Sequence, residues 1–389
     1  MARFGVRSLL AAVAFLALSG GCTSHASAKN RPAAGCAGPV AESAPAAPVA
    51  AVLPAAPVAT TTRLWPFQRL FNVDYVDLQA VASRYGLKLV WVTPNKTVQL
   101  ADSRGRVRMR FEDRKREFQF DGVHVALGEP VALNKDNLLV SKIDVIKTIA
   151  PLMQPADYVE QLPRLPKRIF LDAGHGGNDP GKQNLVLHID EKVMTLDVVL
   201  RLKKVLEARG YQAFLTRSDD RRIELDNRPA LANEANADLF VSVHFNAADS
   251  LVVTGTETWV LTPQFHASTQ PEQDKSMIRT AYLGNHQDPA NIVLGYEIHR
   301  ILLRNLKSAD RGVKRARWAV LRGAECPAVL IEAAFLSNNA EAKKIATPEF
   351  RQQLAGAIAD GIDSYADALA KLRPQAPAPA APANAKNSR

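Results

Sequence analysis

Segments with the pattern of a β-strand alternate with segments with the pattern of a helix from about Lys167 to Lys371. The strand-like runs are short and apolar, and in order they are RIFLDA, YQAFLTR, DLFVSVHFNA, GTETWVL, WAVLR and AVLIEAA. The helix-like runs have apolar residues every three or four positions, and in order they are DEKVMTLDVVLRLKKVLEARG, RPALANEANA, NIVLGYEIHRILLRNL and PEFRQQLAGAIADGIDSYADALAKL. This alternation predicts an α/β domain over residues 167–371, with a mostly parallel sheet flanked by helices. Functional side chains are expected in the loops at the carboxyl ends of the strands.

A small β-rich unit is predicted ahead of that domain, over residues 64–152. It begins with a short helix, Leu78–Tyr85, and continues in strands of alternating polarity. In RGRVRMRF the four arginines fall on one face of a strand, which is either a solvated face or a surface for anionic wall polymer or lipid. The alternation, together with FDGVHVALGEPVALNKDNLLVSKIDVIKTI, resembles the small stalk domain named after the N-terminal region of copper amine oxidases.

The two ends of the chain have the composition of targeting and linking segments. Residues 1–22 are predicted to be a signal peptide, because two arginines precede an apolar run too short to span a bilayer. LSGGC resembles a lipoprotein box, which would place a lipid on Cys22, and cleavage after Ala28 is the alternative. Residues 23–63 and 372–389 are rich in Ala and Pro and are predicted to be a linker and a disordered tail. The protein is expected in the periplasm or cell envelope, anchored to a membrane.

Charge and cysteine content limit the partners. The formal net charge is +10 and the sequence pI is about 9.5, which for an exported chain favours wall polymers and lipid head groups over nucleic acid. Cys36 and Cys326 have no metal-ligand spacing and are predicted to have no role in the site.

The stretch FLDAGHGGNDPG places one histidine, His175, among four glycines directly after a strand. A glycine-built loop of this kind could hold a phosphate, hold a metal or form a plain turn. The Gly-Lys-Ser/Thr ending of a P-loop is missing, which disfavours the phosphate. The glycines are expected to let the backbone turn sharply. Asp172 is expected to stabilise the turn or to support a ligand rather than to be a ligand.

Three side chains are expected to converge at the carboxyl edge of the sheet. His175 lies in the first loop, Glu191 opens the first long helix, and His244 lies near the end of LFVSVH. The helix is predicted to turn four apolar residues toward the sheet and to leave Glu191 at its tip; they are Val193, Leu196, Leu200 and Leu206. Two histidines and one glutamate suit a catalytic zinc ion with an open fourth position.

Glu332 lies inside the otherwise apolar strand AVLIEAA. An ionised carboxylate there is costly unless it has a partner or a function. We therefore expect Glu332 to act as general base toward water and then as general acid toward the leaving amine. Taken singly, each of these residues is more often a hydrogen-bonded loop histidine or a surface-paired glutamate.

The domain resembles the zinc-dependent N-acetylmuramoyl-L-alanine amidases of the type-3 fold. The resemblance rests on six segments in order: IFLDAGHGGNDPG, DEKVMTLDVVLRLKKVLEARGYQAFLTR, ANADLFVSVHFNAA, GTETWVL, RGVKRARWAVLR and CPAVLIEAAFLSN. It implies that His175, Glu191 and His244 bind zinc and that Glu332 is catalytic. It also implies hydrolysis of the amide between N-acetylmuramic acid and L-alanine in peptidoglycan, for wall remodelling or daughter-cell separation. Departures at Lys182, Gln183 and Cys326 bear on substrate detail and not on the ligands.

The segment Thr262–Ala290 is long and polar for a connection inside a domain. A substrate-contacting loop or lid is predicted there, with an autoinhibitory element, as in some relatives, as the alternative. His266, His286 and His299 are predicted to be non-ligands, and His188 is the nearest competitor for a place in the site. A protein activator is a possible partner.

Other functions remain open on sequence grounds. The metal set alone also fits another zinc peptidase or deacetylase of the cell wall. An inactive wall-binding protein would not need the ligands or Glu332. Glycoside hydrolysis by Glu191 and Glu332 leaves the histidines without a role.

Overall fold

A computed structural model gives the fold of residues 65–161, 163–270 and 274–372. The predictions for the signal segment, for Cys22 and Cys36, for the Ala/Pro-rich linker and for the tail beyond residue 372 lie outside these described residues. No described helix has the length and apolar character needed to span a membrane.

The N-terminal part of the described chain consists of strands around one short helix. Its strands are β1 (Gln68–Leu70), β2 (Val73–Asp77), β3 (Lys88–Thr93), β4 (Thr97–Ala101), β5 (Val107–Glu112), β6 (Glu117–Phe120), β7 (Val123–Ala126), β8 (Ala132–Asn134) and β9 (Asn137–Ser141). Helix α1 (Leu78–Arg84) is capped by Asp77, whose carboxylate accepts a hydrogen bond from the backbone N of Gln79 at 2.7 Å. Strands β1, β2, β9 and β8 form one antiparallel sheet, and β3 to β7 form an antiparallel meander.

A run of helical turns connects this part to the next. It consists of α2 (Lys142–Asp144), a π-helical turn (Val145–Ile149), α3 (Ala150–Met153) and a 3₁₀ helix (Pro155–Gln161).

The C-terminal part alternates strands and helices, as the sequence predicts. Its strands are β10 (Arg168–Ala173), β11 (Gln183–Asn184), β12 (Ile189–Asp190), β13 (Gln212–Leu215), β14 (Leu239–Asn246), β15 (Thr256–Leu261), β16 (Asp310–Ala316) and β17 (Ala328–Phe335). Its helices are α4 (Glu191–Ala208), α5 (Asn227–Glu234), α6 (Asp288–Leu306), α7 (Ala319–Arg322), α8 (Asn339–Ala346) and α9 (Pro348–Lys371), with 3₁₀ turns at Lys275–Ile278 and Leu283–Gln287.

The main sheet has helices on both faces. Strands β13, β10, β14 and β17 are parallel neighbours in that order, β15 pairs antiparallel with β17, and β16 pairs parallel with β15. Because strand side chains alternate between faces, the buried residues divide into two layers. One layer packs under α4, α6 and α9 and includes Leu171, Val243, Ile331, Val198 and Ile358. The other packs under α5 and α7 and includes Phe240, Trp259, Leu330, Ala232 and Leu321. The predicted α/β fold is confirmed.

The main sheet also runs on into the N-terminal meander. Strand β16 pairs parallel with β7 through Val313 and Val125, so eleven strands form one mixed sheet in the order β13-β10-β14-β17-β15-β16-β7-β6-β5-β4-β3. All described residues accordingly fall into one compact unit. The sequence predicts two regions, and a shared sheet joins them.

Two local predictions were wrong. WAVLR forms α7 and not a strand, and the strand lies just upstream as β16, whose sequence DRGVKRA is too polar to be recognised. On α4, Val193 faces solvent at 50% exposure, whereas Thr195, Val198 and Leu202 are buried. The hydroxyl of Thr195 donates to the carbonyl of Gly174 at 2.9 Å, so a polar residue stands on the buried face because it has a partner.

Candidate metal centre

The glycine-rich loop after β10 turns the chain back on itself. His175 has φ +61°, the left-handed region, and the backbones of Gly176 and Asp179 bridge at 3.0 and 3.1 Å. A Cβ atom on Gly174 would lie 2.3 Å from Cε1 of His244, so the absence of a side chain at Gly174 lets the loop approach His244. The loop thus brings His175 over the end of β14.

His175, Glu191 and His244 come together at this edge. The distance from His175 Nε2 to Glu191 Oε2 is 3.1 Å, and that from His244 Nδ1 to Glu191 Oε1 is 3.0 Å. One donor atom from each residue lies within 4.8 Å of the other two, and among the described residues this is the one group of three or more such donors found.

The carboxylate of Glu191 is buried and held by the backbone as well. The backbone N of Lys182 donates to Oε2 at 2.8 Å, and that of Phe245 donates to Oε1 at 3.0 Å. Burial opposes ionisation of Glu191, but hydrogen bonds and charge interactions with His175 and His244 outweigh it and lower its pKa. Burial acts to lower the pKa of His175, but Glu191 and Asp179 outweigh it and raise that pKa.

The donor set fits a zinc ion. Ligands bound to zinc at about 2.0–2.2 Å in a tetrahedral arrangement lie roughly 3.3–3.5 Å from one another. The candidate donor atoms, one from each residue, lie within 4.8 Å of one another, and the two His–Glu contacts of 3.0 and 3.1 Å run to different oxygens of Glu191. Two imidazoles and a carboxylate are also the ligand types of a catalytic zinc site with an open position.

Asp179 contacts the ring nitrogen of His175 that faces away from Glu191. Its Oδ2 lies 2.9 Å from Nδ1 of His175, and its Oδ1 accepts from the backbone N of Gly181 at 3.1 Å. This contact leaves Nε2 of His175 turned toward Glu191. Sequence reasoning missed Asp179 although it lies in the quoted loop, because nothing in the spacing shows that the loop folds back onto the histidine.

Two buried arginines, also missed, fix the carbonyls of the loop. Arg228 donates to the carbonyls of Ala173 and His175 at 2.9 Å and pairs with Asp172 at 2.8 Å. Arg217 donates to the carbonyls of Ala173 and Gly174 at 3.1 and 2.8 Å. Asp172 accepts from Thr216 and Ser242 as well, which agrees with its predicted role in stabilising the turn.

Glu332 lies beside the three-residue cluster on the next strand. It is in register with His244 on one side and with Glu257 on the other. Its Oε2 atom is buried and has no hydrogen-bond partner among the described residues. Burial first, and then the charges of Glu191 and Glu257, raise the pKa of Glu332 well above its usual value, against the opposing charge of Lys314.

Glu257, which sequence reasoning missed, is a fully paired carboxylate. Oε1 accepts from Arg311 Nε at 2.8 Å and from Lys314 Nζ at 2.6 Å. Oε2 accepts from Asn246 Nδ2 at 2.9 Å and from Trp259 Nε1 at 3.1 Å. Burial disfavours its ionised form, but Lys314 and Arg311 outweigh that and lower its pKa.

The three histidines predicted to be non-ligands, and the competitor His188, lie outside the cluster. His266 Nε2 is 2.7 Å from Asp144, and His299 lies between Thr258 and Asp310 at 3.0 Å from each. His286 lies in the 3₁₀ turn Leu283–Gln287, and His188 lies in the short hairpin before Glu191. Cys326 is buried as well, and burial raises the pKa of its thiol to about 12.

The lid predicted over Thr262–Ala290 is contradicted by the strand order. Because β15 runs antiparallel to β17, Glu257 lies beside Glu332 and the chain leaves β15 about 13 Å away, four residues further on. The segment is anchored at that far end, where Arg116 donates to the carbonyls of Ala267 and Ser268 at 3.3 and 3.1 Å. Its anchored beginning therefore faces the N-terminal part of the sheet, and the substrate-contact prediction is wrong there.

The fold and the cluster define an α/β protein with a group of three donors, able to hold a metal ion, at the carboxyl edge of its sheet. The family model described as N-acetylmuramoyl-L-alanine amidase (Amidase_3) matches residues 169–364. The chain therefore belongs to the Amidase_3 family.

Individual proteins and one solved structure are similar to part of this chain. The uncharacterized protein YqiI of Bacillus subtilis (strain 168) is 33% identical over 220 residues, which are 57% of this chain and 92% of YqiI. The N-acetylmuramoyl-L-alanine amidase AmiC of Neisseria meningitidis serogroup B is 34% identical over 223 residues. That match covers 51% of this chain and 52% of AmiC, so the chain spans about half the length of this relative. The solved catalytic domain of the amidase CwlV from Bacillus (Paenibacillus) polymyxa var. colistinus is 30% identical, with a TM-score of 0.43, over 52% of this chain and 98% of that domain.

Proposed function

We propose that this protein is a zinc-dependent amidase that cleaves the bond between N-acetylmuramic acid and L-alanine in peptidoglycan. The observation that supports this most is the position of Glu332, whose carboxyl lies on the strand next to His244 and faces a His–Glu–His donor set. Family membership supports the choice of the amide bond, and AmiC and CwlV are named for the same activity.

His175, Glu191 and His244 would hold the zinc ion. When bound, zinc supplies polarisation of the scissile carbonyl and activation of water. Glu191 brings the negative charge of the ligand set, and its two backbone hydrogen bonds keep both carboxylate oxygens directed at the histidines.

Glu332 would move the proton. In its ionised form it takes a proton from the attacking water, and in its protonated form it donates that proton to the leaving amine. A buried carboxyl with a raised pKa is suited to the second step, because the proton is retained until the amine departs.

Location and anchoring are part of the proposal. The segment 1–22 would direct export, Cys22 would carry the lipid, and 23–63 would be the linker to the folded part, with cleavage after Ala28 as the alternative. The stalk-like region 64–152, the amidase domain 167–371 and the tail 372–389 complete the organisation. A protein activator is a further proposed partner.

Digestion of purified peptidoglycan tests the function. Wild-type protein should release intact stem peptides and leave intact glycan, as identified by mass spectrometry. Glu332→Gln should lose release while zinc content stays near one ion per chain. Cleavage inside the stem peptide, or loss of acetyl groups from the glycan, would instead identify another zinc peptidase or a deacetylase. A zinc-free protein without turnover would indicate a wall-binding role.

A further inference from the structure

A pair of cations lies next to the catalytic carboxyl and is not used by the chemistry proposed above. Arg311 and Lys314 both bond the same oxygen of Glu257, at 2.8 and 2.6 Å. Among the described residues, Glu257 is the ion-pair partner of both Arg311 and Lys314. Glu257 thus brings one negative charge to two positive charges, and Glu332 is the neighbouring carboxyl on the next strand.

These cations face the same side of the sheet as Glu332. In the strand register His244, Glu332 and Glu257 are direct neighbours, and Lys314 pairs with Trp259, two residues beyond Glu257 on the same face. Lys314 Nζ lies 5.3 Å from the centre of the Trp259 ring, and the Arg311 guanidinium carbon lies 5.1 Å from that of Phe335. The aromatic rings and Glu257 hold both cations beside the reacting carboxyl.

Both cations remain accessible. The side chain of Arg311 is 35% exposed and that of Lys314 is 19% exposed, although Glu257 between them is buried. Each bonds Glu257 through one nitrogen, and the described residues supply no hydrogen bond to the outer nitrogens of the Arg311 guanidinium. Donors that are held in place, charged and open to solvent form a binding position for a carboxylate.

We propose that Arg311 and Lys314 form a subsite for a carboxylate in the first residues of the stem peptide. The proposal rests on the proposed function, because that function places the peptide on the leaving side of the bond beside Glu332. Glu257 lies one strand away from Glu332, about 5 Å, and an extended peptide advances about 3.3–3.6 Å per residue. A peptide that runs from Glu332 toward the cations would therefore bring the carboxylate of its second residue to them.

The test compares two muropeptides that are identical except at the second stem residue, which carries a free carboxylate in one and a carboxamide in the other. We expect the wild-type protein to have a kcat/KM about tenfold higher for the carboxylate form, the scale of a partly exposed charge-assisted contact. The difference should lie mainly in KM, and added salt should reduce it.

Variants separate recognition from structure. In Lys314→Met the ratio of kcat/KM for the carboxylate muropeptide to that for the carboxamide muropeptide should fall toward one. Lys314→Arg should keep most of the wild-type ratio. Lys343→Met, which removes the same charge from an exposed position on α8, is the matched control and should keep the wild-type ratio.

The failures are distinguishable. If wild-type protein cleaves neither muropeptide, the proposed function fails and the subsite with it. If it cleaves both with equal kcat/KM, the amidase assignment stands and the subsite is overturned. The wild-type comparison decides even if Lys314→Met does not fold.

Discussion

Oδ2 of Asp179 lies 2.9 Å from Nδ1 of His175, on the side of the imidazole ring that faces away from Glu191. Such a carboxylate fixes the tautomer and the orientation of a histidine ligand and makes its other nitrogen a better donor. The role proposed for Asp179 can be measured as metal affinity, separately from catalysis.

We expect Asp179→Ala to weaken zinc binding by about 10- to 100-fold, the usual cost of losing such a partner. Chelator competition measures the affinity directly. Asp179→Asn keeps an oxygen that can accept from the backbone N of Gly181, so its zinc affinity should lie between those of the wild type and Asp179→Ala. Asp219→Asn, an exposed acid with the same charge change, is the control. Unchanged affinity in Asp179→Ala would show that the loop alone orients His175.

Gly181→Ala should disrupt the centre through contact and not through backbone strain alone. A Cβ there would lie 2.6 Å from Cδ2 of His175 and 2.7 Å from Oε2 of Glu191. We expect zinc binding and peptidoglycan hydrolysis to fall below detection. Gly210→Ala is a matched control, because Gly210 also has positive φ, +88°, but nothing lies within 4 Å of the new Cβ. It should lose about 1 kcal/mol of stability and keep its activity. Equal losses of activity in both variants would contradict the contact explanation.

Zinc should stabilise the folded protein. A ligand at 100 times its Kd adds about 2.7 kcal/mol to the free energy of unfolding, so chelation should lower Tm and added zinc should restore it. His244→Ala should lose this response because it removes one of the three donors. Glu332→Gln should retain it. Scanning calorimetry measures the change in Tm. If His244→Ala shows the same rise in Tm with zinc as the wild type, His244 is not a ligand.

The buried pair of Asp144 and His266 should make stability depend on pH. Burial opposes ionisation of Asp144, but His266, Ser141 and the backbone N of Gly128 outweigh it and lower its pKa below 3.8. A lowered folded-state pKa gives stability that is fully present above the unfolded-state value and is lost as the pH falls through the folded-state value. Asp144→Asn should therefore cost about 3 kcal/mol near neutral pH and progressively less below about pH 4.

Urea unfolding of wild type and Asp144→Asn from pH 7 to pH 3 measures this difference. Asp136→Asn, at an exposed position in the same region, should leave the curve unchanged. A cost for Asp144→Asn that stays constant with pH would mean that packing, not charge, is lost.

The parts of the fold and site that depend on local pattern could be predicted from the sequence. The alternation over 167–371 gave the α/β class because each element follows its own periodicity. His175, Glu191 and His244 could be selected because each lies at the end of a strand or the start of a helix, and parallel strands bring such positions to one edge. Their role as zinc ligands, and that of Glu332 in catalysis, stay predictions.

Features that depend on pairing between distant segments could not be predicted. Glu257 reaches Glu332 because β15 runs antiparallel to β17, and its two cations arrive on β16, whose polar sequence does not look like a buried strand. The lid prediction failed for the same reason, because the direction of β15 decides which end of the sheet the following segment leaves from. Arg228 donates to a carbonyl of the loop, and Asp179 contacts His175 because the loop folds back on itself. Neither contact can be predicted from the spacing of apolar residues.

The pairing of β7 with β16 has a consequence for solubility. An unpaired strand at the edge of a sheet exposes a row of backbone donors and acceptors and invites association with other chains. Here β16 is shielded, since Val125 of β7 lies in register with Val313. The N-terminal strands thus cover an aggregation-prone border of the amidase half, and a fragment that begins at residue 167 would expose it.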